Sequence, residues 1–167
     1  MSDPQHPIAV TMGDPAGIGP EIIAKVFAEP EFGPPAVVYG DPGIMRRVVN
    51  HLAIPVDVRE IKAPADARPQ PGSVDVIAVS DLGDDFAIGK VDARAGEAAY
   101  HYITEAIAAA MKGDVCAIAT APINKESLKL AGVPYPGHTE MLADHSGASD
   151  YAMMLFNNEL RVILVTI

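Results

Sequence analysis

Short apolar runs alternate along this chain with segments of helical periodicity, and that alternation constrains the fold more than any other feature. The runs lie at 8–12, 36–39, 56–61, 74–79 and 115–119. Between them fall a helix at 20–28, opened by Pro20, and a second capped by Asp41 and running to about His51, with Ile44, Val48 and Leu52 on one face. The longest helix is capped by Asp92, and its Ala95, Ala99, Tyr102, Ala106 and Ala110 recur every three or four residues, so they face the core. Strands alternating with helices in this way predict an α/β fold, with a mainly parallel sheet and helices on both faces. Near the end, two apolar runs at 151–156 and 161–167 are joined by Asn157, Asn158 and Glu159, which predicts an antiparallel hairpin. The proline-rich segment 62–73 reads as a surface loop, and the acidic, glycine-containing segment 81–91 as a mobile connection.

Two loops carry residue types suited to chemistry. The first, GDPAGIGPE, follows the opening strand and leads into a helix. Its glycines permit a tight turn, and a helix start of this kind can present backbone N–H groups to a phosphate or cofactor. It is neither GxGxxG nor a Walker loop, so the residues alone favour a purely structural turn. The second stretch, TAPINKESLKLAGVPYPGHTE at 120–140, emerges from the apolar run 115–119, which reads as a buried strand. A parallel sheet places its ligand crevice at that strand end. Here Asn124, Lys125 and Glu126 open a short helix ending near Gly132, and an irregular turn presents His138 and Thr139, with Thr139 expected to cap a helix over 140–146. A helix start, a hydroxyl, an imidazole and a nearby ammonium suit an anionic, hydroxylated ligand. The same residues also describe a capped turn with a solvated lysine. Glu97, His101 and Glu105, spaced by four, read as a solvated helix face, and His6, His51 and His145 as surface imidazoles.

The 167 residues are 49% hydrophobic with a formal charge of -10, which excludes a nucleic-acid groove or an anionic membrane surface as the main partner. Cys116 is the only cysteine and lies within an apolar run, so it is expected to be a packed core thiol, in keeping with a reducing cytoplasm. The start, MSDPQHP, has neither a basic flank nor an apolar segment, and no run reaches the roughly 18 apolar residues of a spanning helix. No targeting segment and no membrane span are expected. The chain stops inside an apolar run, at Leu164, Val165, Thr166 and Ile167, whereas termini usually lie exposed; the expectation is the front half of something longer.

TMGDPAGIGPEI at 11–22, AGEAAY at 95–100, TAPINKE at 120–126, AGVPYPGHTE at 131–140, MML at 153–155 and LRVILVT at 160–166 occur together and in order. On these pieces the chain closely resembles the 4-hydroxythreonine-4-phosphate dehydrogenase (PdxA) family. The resemblance implies an isocitrate or isopropylmalate dehydrogenase-like fold and makes residues 1–167 the amino-terminal half of such an enzyme. It implies oxidation of a secondary alcohol by NAD or NADP with a divalent metal (Zn, Mg, Mn or Co), followed by loss of carbon dioxide. It places substrate-binding residues at His138 and Thr139, a catalytic or anion-contacting role at Lys125, and cofactor contacts at Gly17 and Ile18. The first metal-binding histidine of the family would fall one residue beyond Ile167, so no metal ligand is expected within this chain.

The implied substrate is 4-phosphohydroxy-L-threonine, in pyridoxal phosphate biosynthesis. A related four-carbon phosphorylated sugar acid or a cis-dihydrodiol carboxylate stands as an alternative, and so does a non-catalytic binding or dimerisation remnant. The full-length enzyme is expected to be a cytoplasmic homodimer, and the 167-residue piece alone to be inactive.

Overall fold

The computed structural model describes residues 6–31, 35–68 and 70–165. Five strands, β1 (Ile8–Thr11), β2 (Ala36–Gly40), β3 (Asp57–Ile61), β4 (Ser73–Ala78) and β5 (Ala117–Thr120), form one parallel sheet in the order β3-β4-β2-β1-β5. The α/β expectation and the parallel sheet are met. The connections from β1 to β2 and from β2 to β3 run through α1 (Gly19–Ala28) and α2 (Pro42–His51), while α3 (Ala93–Lys112) carries the chain back across the sheet to β5. Right-handed crossovers moving in opposite directions occupy opposite faces, so α1 and α2 cover one side and α3 the other. The strand order therefore reverses between β1 and β5. The loops after these two strands leave toward opposite faces and open the crevice in which sheets of this type bind ligands.

The helices start where the sequence provides acceptors for their first N–H groups. Asp41 accepts from Ile44 N at 3.0 Å, Asp92 from Arg94 N at 2.8 Å, and Asn124 from Glu126 N and Ser127 N at 2.9 and 3.0 Å. Asp41 does more than cap. Its second carboxylate oxygen accepts from Ser80 Oγ and Leu82 N, and Ser80 Oγ lies 2.5 Å from Tyr102 Oη, so the ends of β2 and β4 are tied to α3. Burial pushes the Tyr102 phenol well above its ordinary range, which keeps the proton in this network. The main core runs between sheet and helices, and α4 (Lys125–Leu130) and α5 (His138–Ser146) build a second, smaller one on α3 from Ile103, Ile107, Leu128 and Met141. There α3 and α4 approach so closely that a Cβ on Gly96 would lie 2.0 Å from the Ser127 carbonyl oxygen.

Four local expectations change. Ile44 and Val48 are buried, but Leu52 ends α2 as its C-cap and is 39% exposed, because the helical stripe stops one turn earlier. The loop 62–73 contains one 3-10 turn at Pro64–Asp66. The segment 81–91 is pinned rather than loose: Phe86 is buried under the Arg94 guanidinium, Arg47 Nη2 donates to Phe86 O at 3.0 Å, and Gly89 N donates to Ala16 O at 2.7 Å. Finally, β5 is an edge strand with Ala117, Ala119 and Thr120 exposed, and Cys116 is only half-buried. A groove of about 200 Å³ lined by Val10, Ile22, Val26 and Ala119 runs along that edge. The expected hairpin is present as β6 (Met154–Phe156) paired antiparallel with β7 (Arg161–Ile163); its last two residues lie outside the described ones. Among the described residues no helix is long and apolar enough to cross a membrane.

Candidate active site

The two sequence-selected loops meet at the carboxyl ends of β1 and β5, where Thr11 stands in register with Thr120. Gly13 has φ +71, and a Cβ there would lie 2.3 Å from Pro122 O; Asp14 N donates to that same oxygen at 2.9 Å. Only glycine combines this backbone conformation with so close an approach. Asp14 is buried and bends back to accept from Ala16 N at 2.8 Å. Burial raises its carboxyl above the ordinary range, the Ala16 bond partly opposes this, and the Asp92 charge adds to it. Asp92 N in turn lies 3.4 Å from Ser127 Oγ, so the first loop, the end of the 81–92 segment and the start of α4 form one joined rim. Sequence reading missed Asp14 and Phe86 as rim-forming residues. An aspartate between glycine and proline, and a lone aromatic in an acidic stretch, were the available signals.

Gly17 and Ile18 sit on the outside of this rim, both exposed, and Ile18 starts α1 without a side-chain cap. Gly17 is a glycine the interior does not require: its φ is not in the left-handed region, and the nearest atoms to a Cβ would be 3.4 Å away, on Asp14. Gly17→Ala is therefore expected to change stability by less than about 0.5 kcal/mol, as a surface substitution does. Thermal unfolding checks this, and a loss above about 2 kcal/mol would show that the turn itself needs the glycine.

Lys125 is the first residue of α4, exposed, and makes no ion pair among the described residues. His138 is the first residue of α5. Here the expected cap moves: Gly137 is the N-cap, in fully extended backbone, and Thr139 is the second helical residue rather than the residue before the helix. The chain enters the helix two residues early, at His138, which the threonine signal concealed. No side chain caps α5, and its first intrahelical bond is the long one from Met141 N to Gly137 O, 3.5 Å. The N–H groups of His138, Thr139 and Glu140 thus have no acceptor among the described residues. His138 Nε2 is buried without a hydrogen-bond partner, and burial alone lowers its pKa below the ordinary histidine range. Three N–H groups without an acceptor among the described residues, at the positive end of a nine-residue helix that begins with His138, suit an anion. Lys125 and His138 make no hydrogen bond or ion pair with each other; their helices both pack on α3.

The exposed turn at Gly17 and Ile18, which leads into α1 without a side-chain cap, fits the phosphate or amide end of a nicotinamide cofactor. Among the described residues no three His, Cys, Asp or Glu side chains gather where a metal could be held.

The family described as pyridoxal phosphate biosynthetic protein PdxA matches residues 33–167. A 4-hydroxythreonine-4-phosphate dehydrogenase of Beijerinckia indica is 48% identical over 162 residues, covering 97% of this chain and 48% of the relative. A D-threonate 4-phosphate dehydrogenase of Pectobacterium atrosepticum is 52% identical over 163 residues, covering 95% and 50%. Among solved structures, a 4-hydroxythreonine-4-phosphate dehydrogenase from Burkholderia phymatum superposes with a TM-score of 0.89 at 40% identity, over 96% of this chain and 49% of that one. A terephthalate 1,2-cis-dihydrodiol dehydrogenase from Burkholderia xenovorans matches less well, with a TM-score of 0.71 at 30% identity, over 95% and 47%. The chain spans about half the length of the curated relatives it matches. With its motifs in order, its fold shared and residues 33–167 matched, this chain belongs to the PdxA family.

Proposed function

We propose that this chain is the amino-terminal half of an NAD(P)- and divalent-metal-dependent dehydrogenase that oxidises 4-phosphohydroxy-L-threonine, with decarboxylation following, in pyridoxal phosphate biosynthesis. The observation that carries the reading is the uncapped start of α5, with His138 Nε2 buried and unpartnered beside it. In this role His138 and the first N–H groups of α5 hold the anionic substrate, the Thr139 hydroxyl adds a neutral hydrogen bond, and Lys125 contacts the anionic end or assists proton transfer. Gly17 and Ile18 border the cofactor, which accepts the hydride when bound. The metal ligands lie outside these 167 residues, and the working enzyme is a cytoplasmic homodimer.

A second reading, oxidation of D-threonate 4-phosphate, draws support from the 52% identity to the Pectobacterium relative of that name. Both readings require a phosphorylated four-carbon acid at the same turn. Reading the coding sequence past Ile167 is the first check, since a histidine immediately following and more beyond support the enzyme and a stop codon opposes it. Initial rates of NADH or NADPH formation by the full-length protein on the two phosphorylated acids and on a cis-dihydrodiol carboxylate then decide among substrates. Turnover of the dihydrodiol alone would overturn both readings.

A pH dependence follows from the buried imidazole. With its pKa lowered, His138 is neutral in the empty site at neutral pH, and the fold loses stability as pH falls through the histidine range because the unfolded chain takes up the proton more readily. An anion seated against the ring favours the protonated form, so binding takes up a proton and tightens as pH falls. Phosphate itself loses charge over the same range, and comparison with His138→Ala cancels that contribution. The ratio of the variant's substrate Kd to that of the wild type is expected to rise by roughly threefold to tenfold between pH 8 and pH 6. A flat ratio would mean that the imidazole takes up no proton on binding.

A further inference from the structure

We propose that Tyr135 is a positioning residue for the substrate: its ring and hydroxyl fix the turn that carries His138 and so set how tightly the anion is held. The inference rests on the reading of His138 just given.

The turn from Val133 to Gly137 is poor in backbone bonds. Val133 N donates to Leu128 O at 3.0 Å at one end, and Gly137 O accepts from Met141 N at 3.5 Å at the other. Between them Pro134 and Pro136 have no N–H to give, and neither Tyr135 N nor Gly137 N finds an acceptor among the described residues. Val133 packs on the second core at the start of the segment, and the Tyr135 side chain holds its middle. Its ring stacks on Tyr100 of α3, with centroids 6.1 Å apart and planes at 17°, and lies 5.6 Å from the ring of His145 on α5. Tyr100 Oη is 3.0 Å from His145 Nε2, which closes the three rings into one cluster, and Tyr135 Oη donates to the Asp144 carboxylate. The cluster joins α3, the turn and the last part of α5. Since His138 is three residues from Tyr135 and starts the helix that carries Asp144 and His145, the ring fixes both where His138 stands and the angle at which α5 leaves the turn. A displacement of about 1 Å at a binding group can cost on the order of a hundredfold.

The test uses the full-length enzyme, with Tyr135→Ala, Tyr135→Phe and Tyr135→Leu. Dissociation constants for inorganic phosphate, 4-phosphohydroxy-L-threonine and NAD are measured by calorimetry, alongside thermal unfolding. Tyr135→Ala is expected to weaken both anions by about tenfold to a hundredfold and to leave NAD within about twofold. Tyr135→Phe keeps the stack and is expected to recover binding to within about fivefold of the wild type. A lower melting temperature with unchanged anion affinity would overturn the proposal, because Tyr135 would then serve stability alone. Equal weakening of NAD would also overturn it. If Tyr135→Ala does not fold, Tyr135→Leu, which removes the stack and the hydroxyl but keeps an apolar side chain, decides: a several-fold loss in anion affinity supports the proposal, and none overturns it. Should the wild type bind neither anion, the functional reading of His138 fails and this inference fails with it, a result distinct from wild-type binding that the variants leave intact.

Discussion

The 167-residue chain on its own is expected to form NADH from a phosphorylated hydroxy acid at least about a thousandfold more slowly than the full-length enzyme. The site it carries has one wall. Gly17, Ile18 and Lys125 are exposed, the β5 edge beside them is open, and no metal-binding group of side chains is present among the described residues. Hydride transfer requires the nicotinamide ring and the carbinol carbon to be held in contact distance with water excluded. Holding two reactants in that geometry is worth about 7–11 kcal/mol, and a thousandfold loss corresponds to only about 4 kcal/mol of it. Anion binding at α5 can survive in the isolated chain while turnover does not. Rates of NADH formation by the two proteins at equal concentration, with divalent metal supplied to both, measure the difference. Comparable rates would show that the described residues already complete the site.

Much of the fold was legible because strand and helix periods, and the capping aspartates Asp41 and Asp92, are local signals. The strand order was not, since which strands become neighbours depends on crossovers that span the chain. The run 115–119 misled for a physical reason: apolar composition tells what a strand is suited to bury, not whether these residues supply the cover, and β5 is an exposed edge. Phe86 sits in a stretch whose acidic composition suggests solvent, yet one buried ring with the Arg47 and Gly89 hydrogen bonds beside it is enough to pin the loop. In the site, His138 and Thr139 could be picked out from residue type, whereas their helical positions could not, because Gly137 took over the N-cap. The contact of Gly13 with Pro122 O and the cluster around Tyr135 join residues too far apart in sequence for any local pattern to reveal.

On the proposed reading, His138 binds the anionic substrate rather than a metal. A charge-assisted hydrogen bond from an imidazole is worth about 1.5–3 kcal/mol, so His138→Ala should lower kcat/KM by about tenfold to a hundredfold. The depressed pKa makes the loss smaller at pH 8, where protonating the ring costs more, and larger at pH 6. Gly137 remains the N-cap and the free N–H groups of α5 remain in place, so some anion binding should persist in the variant. The most direct measurement is kcat/KM of full-length wild type and His138→Ala together with bound metal per protomer on the same preparations. A tenfold to hundredfold fall in kcat/KM with metal content unchanged is the predicted result; loss of the metal together with the imidazole, or no change in either quantity, would contradict it.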